Sequence, residues 1–296
     1  MSDLRIGILG PGAVGGLLAA LATKHRAEVV CIATPSTSDR ISSKGLLITS
    51  QRFGTFRTNI KSESVLTLPI DVLCVTVKAI ALDEALNRIP PSVLGKALVV
   101  PFLNGIEHVT LLRERLPLAT VVAATIRIES TQRAPGEIEQ LSSLAKVEIA
   151  SDPETNDRVA PLVELLGKMG FDVSCRSDEG AMLWEKLGFL APLALLTTAY
   201  DSPIGEVRVD HRDELVCVVN EISIVANAEG TTFDPADILL QLDSVPASMQ
   251  SSMQRDARAG HPYEIEAVGG AILRRASAHL ISVPATYRLV TRLRTS

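Results

Sequence analysis

The chain has 296 residues, 46% of them hydrophobic and 21% charged, so it is long enough for two domains with substantial interiors. A formal net charge of −5 and an aromatic content of 3% argue against a protein that binds nucleic acid or an acidic membrane. The spacing of the five histidines and four cysteines fits neither a zinc site nor a C-x-x-C pair. We therefore expect no metal, reduced core cysteines and a cytoplasmic protein with no signal peptide and no membrane span.

The beginning of the chain predicts the first half of a nucleotide-binding βαβ unit. An apolar strand at residues 4–9 leads into a G-x-G-x-x-G turn, and an amphipathic helical run follows at 17–23. Gly10 permits the tight turn, Gly12 lets the backbone approach a pyrophosphate, and Gly15 lets the helix pack closely on the strand. The helix N-terminus would present N–H groups to the phosphates. The predicted cofactor contacts here are Gly10, Pro11, Gly12, Ala13, Val14 and Gly15. The alternative is a glycine-rich turn in a generic α/β protein.

A second strand is predicted at 28–33, and its end is where a cofactor ribose arrives. An Asp or Glu at this point accepts hydrogen bonds from the ribose hydroxyls of NAD. This chain instead has Thr34 and Ser36, with Arg40 close behind. Hydroxyls and a cation suit a 2′-phosphate, so we expect NADP rather than NAD. Asp39 leaves NAD open as the cofactor. A second alternative is that this stretch is only a polar turn that caps the next helix.

The remaining elements change character near residue 176. Strands are predicted at 45–48 and 54–60 as a small excursion, at 71–77, 97–100 and 120–124 as core strands, at 137–140 and 146–149 as a hairpin, and at 171–175. Helices are predicted at 82–89, 107–115 and 157–169, and then at 183–198, 212–229, 235–242, 264–279 and 285–294. The pattern predicts a doubly wound, Rossmann-type α/β domain at 1–176 and an all-helical domain at 177–296.

Two polar side chains follow predicted core strands. Lys78 comes directly after the strand at 71–77, and Asn104-Gly105 comes shortly after the strand at 97–100. Because the carboxyl ends of central parallel strands border the crevice where α/β proteins bind ligands, we expect both side chains there. A solvated loop lysine and an ordinary Asn-Gly turn are the alternatives.

Lys186 lies at the start of the most apolar predicted helix. It shares a helical face with Phe189, Leu190 and Leu193. A lysine on such a face is expected to lie partly inside the protein, where desolvation weakens its hold on the proton and makes it a better proton donor. In the competing interpretation its ammonium group extends out to solvent.

A second polar cluster comes late in the chain. Ser251-Ser252-Met253 precedes Asp256, and Glu264 starts the next predicted helix. Hydroxyls and carboxylates near a cofactor cleft would orient a lysine and a substrate carboxylate. Taken singly, each of these residues has a simpler explanation as a helix cap or a solvated acid.

In combination, these motifs resemble the ketopantoate reductase (2-dehydropantoate 2-reductase) family. The matching motifs are, in order, G-x-G-x-x-G at 10–15, Val77-Lys78-Ala79, Asn104-Gly105, Trp184-Glu185-Lys186-Leu187, Ser251-Ser252-Met253, Asp256 and Glu264. The resemblance spans nearly the whole chain. It implies a Rossmann domain and a helical domain with the active site between them, NADPH as hydride donor and a 2-oxo acid as acceptor.

The resemblance also implies roles for single residues. Lys186 would be the general acid that protonates the carbonyl oxygen as hydride reaches the carbon, and Asp256 would support this lysine. Ser252 would contact the substrate carboxylate. The implied cofactor contacts beyond the glycine turn are Thr34, Ser36, Lys78, Asn104, Ser130 and Glu264, and the implied substrate contacts are Asn104, Lys186, Ser252 and Asp256.

Two features depart from the family pattern. The family's substrate-binding asparagines correspond here to Leu190 and Ala194, and its usual arginine after the second strand corresponds to Thr34. Losing the amides weakens selection for a hydroxylated substrate such as ketopantoate. A reductase of a more apolar 2-oxo acid and a non-catalytic NADP-binding regulatory protein are therefore alternatives. The apolar helices after residue 176 suit either a homodimer or a closed domain core.

Overall fold

The computed structural model describes residues 4–295, which form two compact units. The first unit is the chain up to Leu103 together with His108–Glu179, and the second is Asn104–Glu107 together with the chain from Gly180 onward. The predicted fold class, a Rossmann-type α/β domain followed by a helical domain, is confirmed. The short segment Asn104–Glu107 groups with the helical unit, although it precedes residue 176 by some way.

The elements are numbered in chain order. The first unit contains β1 (Arg5–Leu9), α1 (Ala13–Lys24), β2 (Glu28–Ile32), α2 (Pro35–Lys44), β3 (Leu46–Ser50), β4 (Gly54–Thr58), β5 (Lys61–Glu63), β6 (Val72–Val75), a 3₁₀ turn (Ala79–Ala81), α3 (Leu82–Leu86), α4 (Pro91–Leu94), β7 (Leu98–Pro101), α5 (His108–Arg115), β8 (Thr120–Val121), β9 (Ala124–Ala134), β10 (Glu137–Ala150), α6 (Asn156–Lys168) and β11 (Asp172–Arg176). The second contains α7 (Glu179–Tyr200), α8 (Ile204–Asp210), α9 (Arg212–Ala228), α10 (Pro235–Ser244), α11 (Ser252–Arg258), a π-helical turn (Glu266–Gly270), α12 (Ala271–Ala278) and α13 (Pro284–Arg294).

A parallel sheet organises the first unit. Among the described residues its strand order is β5-β2-β1-β6-β7-β8, and every neighbouring pair is parallel. All four residues of β6 are buried, as expected for a strand covered on both faces. The winding reverses between β1 and β6. This reversal is the topological switch point at which open α/β sheets bind ligands.

A second sheet, with the order β11-β10-β3-β4 and with β9 paired to β10, lies in the same unit. The predicted hairpin of 137–140 and 146–149 is wrong, because both stretches belong to the single strand β10. The hairpin partner of β10 is β9, across the turn at Pro135-Gly136. The register shifts between Gln140 and Ala145. This irregularity interrupts the alternation of side chains and imitates a turn in the sequence.

Helix α1 packs against strands of both sheets. Gly15 faces the first sheet, where a Cβ would strike Thr76 and the carbonyl of Gly10, and Gly16 faces the second sheet, where a Cβ would strike Ile138. One hydrophobic core therefore surrounds the helix and joins the two sheets.

The buried cysteines lie in this core. Cys31 and Cys74 are almost fully buried, and burial raises the pKa of each thiol to about 12. Cys175 and Cys217 are exposed, and all four cysteines of the described chain are free thiols. The prediction of core cysteines is thus right for Cys31 and Cys74 and wrong for Cys175 and Cys217.

In the helical unit, helices α8, α10, α12 and α13 each pack against α9. The buried Glu221 of α9 caps the N-terminus of α13: it accepts hydrogen bonds from the backbone N–H groups of Ala285 and Thr286, each at 2.8 Å. Helices α8 and α11 were not predicted, because seven residues are too few to show a helical period. Within residues 4–295, no helix combines the length and apolar character needed to cross a membrane.

Candidate active site

The glycine turn between β1 and α1 is built from backbone groups. Gly10 has φ +87°, a conformation that favours glycine, and its N–H donates to the carbonyl of Ile32 at 3.0 Å. Gly12 precedes α1, and, apart from its own atoms and its chain neighbours, no described heavy atom lies within 4 Å of the place where its Cβ would be. The first turn of α1, residues 13–16, is uncharged. Its N–H groups and the positive end of the helix dipole suit a phosphate.

Thr76 supports this turn and was missed in the sequence, where it falls inside the predicted strand at 71–77. The strand β6 ends at Val75, and Thr76 Oγ1 then lies 3.0 Å from the carbonyl oxygen of Leu9 and 2.8 Å from that of Gly10. A hydroxyl shared between two turn carbonyls fixes the backbone of the turn. The available signal was a threonine near the end of an otherwise apolar predicted strand.

Hydroxyl groups cluster at the start of α2. Thr34 is exposed and extended at the N-cap, and its Oγ1 donates to Thr37 Oγ1 at 3.0 Å. Ser36 lies beside them, also exposed, with its Oγ 3.4 Å from Thr34 Oγ1. The predicted cation nearby, Arg40, uses its Nε to donate to the carbonyl of Pro135 at 2.6 Å. The helix start therefore carries hydroxyls and the positive end of a helix dipole.

The two other predicted cofactor contacts of the first unit lie in different settings. Lys78 is exposed and begins the 3₁₀ turn, where its carbonyl accepts from Ala81 N at 2.9 Å. Ser130 is half-buried on β9 opposite Gln140. Its Oγ is shielded from solvent and has no hydrogen-bond partner among the described residues.

Lys186 lies on α7 and is only 9% exposed. The prediction that this lysine lies at least partly inside the protein is confirmed. Leu190 and Ala194, one and two turns further along the same face, are half-buried and 1% exposed. The lysine is therefore the charged member of an otherwise apolar stripe.

Asn104 and Glu264 are 160 residues apart in sequence and in direct contact in the helical unit. Asn104 Nδ2 donates to Glu264 Oε2 at 2.9 Å, and both side chains are half-buried. The sequence predicted that both residues contact ligands, but it contained no signal for their pairing. The contact forms because Asn104–Glu107 belongs to the helical unit.

Ser251 and Ser252 differ in burial and in the contacts of their side chains. Ser251 is buried and caps α11, where its Oγ accepts from Gln254 N at 3.0 Å and lies 2.9 Å from Thr197 Oγ1 of α7. Ser252 is exposed, and Asp256 is half-buried further along α11. Ser251 thus ties α11 to α7, while Ser252 keeps its side chain accessible.

The switch-point sheet and the glycine turn define a dinucleotide-binding protein of the Rossmann class. The chain belongs to the ketopantoate reductase family: the family described as ketopantoate reductase PanE/ApbA matches residues 6–153, and its C-terminal domain matches residues 180–295. Membership makes this protein a nicotinamide-dependent oxidoreductase that acts on a CH–OH group.

Three similar proteins illustrate the relationship. The 2-dehydropantoate 2-reductase of Caulobacter vibrioides is 26% identical over 97% of each chain. A ketopantoate reductase family structure from Ralstonia eutropha has a TM-score of 0.88 and 25% identity, covering 99% of this chain and 98% of that one. A D-mandelate dehydrogenase solved with NADH and anilino(oxo)acetate has a TM-score of 0.91 at 20% identity, with coverage of 99% and 98%.

Proposed function

We propose that this protein reduces a 2-oxo acid with NADPH, and that 2-dehydropantoate is the first substrate to test, with pantoate as the product. The observation that carries the proposal is the burial of Lys186 on an apolar helix face, within the family motif Trp184-Glu185-Lys186-Leu187. A buried ammonium group has few water molecules to compete for its proton. It is therefore suited to protonate a carbonyl oxygen that gains negative charge.

In the proposed reaction, bound NADPH supplies a hydride to the carbonyl carbon of the substrate. Lys186 donates its proton to the carbonyl oxygen, so that C=O becomes CH–OH. Ser252 binds the substrate carboxylate through its accessible hydroxyl, and Asp256 orients the ammonium group of Lys186. Asn104 and Glu264 border the nicotinamide, with the amide of Asn104 held by the 2.9 Å hydrogen bond to the carboxylate.

The preference for NADPH is supported by the start of α2. Thr34 and Ser36 place hydroxyls at the N-terminus of a ten-residue helix whose first turn, residues 35–38, is uncharged. The glycine turn fits the pyrophosphate, because Gly12 leaves open space on the side of its missing Cβ. Lys78 and Ser130 complete the proposed contacts, and the buried Ser130 hydroxyl would gain a partner.

A fluorescence titration with NADPH and NADH tests this preference. We expect NADPH to bind at least about tenfold more tightly, a difference of about 1.4 kcal/mol. Thr34→Asp should weaken NADPH binding by like-charge repulsion and leave NADH binding largely unchanged. Equal affinities of the wild-type protein for the two nucleotides would contradict the preference.

A second candidate substrate class is a more apolar 2-oxo acid. Leu190 and Ala194 stand where the family has substrate-binding asparagines, so the stripe beside Lys186 offers apolar contact rather than amide groups. The structural similarity to a D-mandelate dehydrogenase that was solved with anilino(oxo)acetate supports a bulkier, less polar acceptor. This candidate keeps the same reaction and changes only the group attached to the 2-oxo acid.

A substrate panel decides between the two classes. NADPH oxidation is measured with ketopantoate, with its analogue that lacks only the hydroxyl group, and with a phenyl-bearing 2-oxo acid. A clear preference for ketopantoate favours the first class, and equal or better turnover of the other two favours the second. In the second case Leu190→Asn should shift the preference towards the hydroxylated substrate by about tenfold or more.

If the protein binds NADPH but reduces no 2-oxo acid, the remaining alternative of a non-catalytic NADP-binding regulatory protein is favoured.

Assembly into a homodimer is a separate prediction, which sedimentation of the purified protein tests.

A further inference from the structure

The segment Asn104–Glu107 is held at both ends by the helical unit. At one end, Asn104 donates to Glu264 at 2.9 Å. At the other end, Arg274 of α12 donates to both carboxylate oxygens of Glu107, from Nε at 2.9 Å and from Nη2 at 2.6 Å. A bidentate guanidinium–carboxylate pair fixes orientation as well as distance.

The middle of the segment lies directly on the π-helical turn Glu266–Gly270. Gly105 has φ +88°, and a Cβ at this position would strike the carbonyl oxygen of Ala267. Both Gly105 and Ile106 are buried. The backbone of the segment therefore approaches the π-turn more closely than any residue with a side chain would allow. Short π-helical insertions occur frequently at functional sites.

Arg274 connects the segment Asn104–Glu107 to the π-helical turn. Besides Glu107, it donates to the carbonyl of Glu266 at 2.7 Å and to the Glu266 carboxylate at 3.1 Å. Arg294 of α13 donates to the same carboxylate at 2.6 and 2.8 Å. The hydrogen bond to Glu107 raises the pKa of Arg274, and the hydrogen bond from Arg294 lowers the pKa of Glu266. The four side chains form a connected network, and networks stabilise more than isolated surface pairs.

We propose that Glu107 and Arg274 are positioning residues, and that their ion pair holds Asn104–Glu107 on the π-turn and so sets the amide of Asn104 against Glu264. Neither side chain contacts substrate or cofactor in this account, because both act through Asn104. The kinetic consequence rests on the proposed function, whereas the ordering of the segment does not.

The first test compares Arg274→Gln with Arg212→Gln. Arg212 makes a similar exposed bidentate pair with Asp243, at 2.6 and 2.9 Å, in the same unit. Arg212→Gln loses one such pair, whereas Arg274→Gln also loses its hydrogen bonds to Glu266, so its melting temperature should fall further than that of Arg212→Gln. Hydrogen exchange of the amides at 103–107 should accelerate several-fold in Arg274→Gln and stay at the wild-type rate in Arg212→Gln.

The second test is kinetic. Misplacing Asn104 should lower kcat/KM for the best 2-oxo acid by about ten- to a hundredfold in Arg274→Gln and in Glu107→Gln, but not in Arg212→Gln. In an Asn104→Ala background, Arg274→Gln should cause little further loss, because its effect passes through the missing amide. If Arg274→Gln only weakened the fold, it would lower kcat/KM by the same factor in the Asn104→Ala background as in the wild-type protein.

These results separate the two proposals. If the wild-type protein reduces no 2-oxo acid, the proposed function fails, and hydrogen exchange alone decides whether the ion pair orders the segment. If the wild-type protein is active, unchanged exchange in Arg274→Gln overturns the positioning role. Faster exchange without kinetic loss, or fully additive losses in the Asn104→Ala background, overturns it as well.

Discussion

The two units differ in the kind of candidate ligand-binding groups that each of them contains. In the first unit, the glycine turn offers backbone N–H groups, and its essential feature is the lack of a Cβ at Gly10 and Gly15. In the helical unit, the candidate groups are side chains: Lys186, Ser252, and the Asn104 amide held by Glu264. A backbone site suits the phosphates that every dinucleotide shares. A side-chain site can change one residue at a time, and Leu190 and Ala194 are the positions at which we propose such a change.

The largest effect is expected at Lys186, the proposed proton donor. Lys186→Ala should lower kcat by about 10²–10⁴, because a positioned proton donor is lost, and should leave the NADPH dissociation constant within about twofold. The measurement is steady-state NADPH oxidation together with a binding titration. Lys168→Ala serves as the control, since Lys168 is an exposed lysine at the end of α6. Equal rates in wild-type protein and Lys186→Ala would remove the lysine from its proposed role.

A smaller effect, on NADPH affinity, is expected when a methyl group is added to the glycine turn. Gly12 and Gly167 both have open space where a Cβ would stand, so neither substitution to Ala creates a clash within the described chain. Gly12→Ala should weaken NADPH binding by about tenfold, because the methyl group occupies the approach of the pyrophosphate, and should leave stability nearly unchanged.

Gly167→Ala should behave in the opposite way. Gly167 lies in the last turn of α6, where Ala stabilises a helix by at most about 0.5–1 kcal/mol relative to Gly, and NADPH affinity should not change. Binding titrations and thermal melts of the two variants form a matched pair. If Gly12→Ala binds NADPH as tightly as the wild-type protein does, the turn is not the pyrophosphate site.

The smallest effect is expected on the stability of the first unit, at Glu148 of β10. Burial tends to raise the pKa of Glu148, but Arg127, Lys146 and Arg176 outweigh it and hold this pKa below its ordinary value of 4.5. A carboxyl group with a lowered folded-state pKa stabilises the fold above its unfolded-state pKa. That contribution disappears as the pH falls through the folded-state value.

Glu148→Gln should therefore cost about 1 kcal/mol of stability at pH 7, and the difference from wild type should shrink below about pH 4.5. Melting temperatures measured from pH 3 to pH 7 test this. Glu164→Gln is the control, because Glu164 forms an exposed pair with Lys168 at 2.6 Å, and such pairs contribute little. A constant difference between Glu148→Gln and wild type across this pH range would contradict the assignment.

The sequence revealed most where the physical requirement is local. The glycine turn was predictable because its three glycines have a fixed spacing between a strand and a helix, and Gly10 does adopt φ +87°. The partial burial of Lys186 followed from its apolar helix face. The error at β10 has a local cause too, since the irregularity between Gln140 and Ala145 resembles a turn when only the pattern of side chains is visible.

The sequence alone thus determined the α/β-then-helical order, the nucleotide-binding turn and the family, because periodicity, glycine spacing and motif order are properties of neighbouring residues. Only the tertiary structure decided that Asn104 pairs with Glu264, that Arg274 holds Glu107, and that Ser251 contacts Thr197 of α7. Residues up to 167 positions apart make these contacts. Their partners are selected by how the helices pack, and packing depends on the whole chain at once.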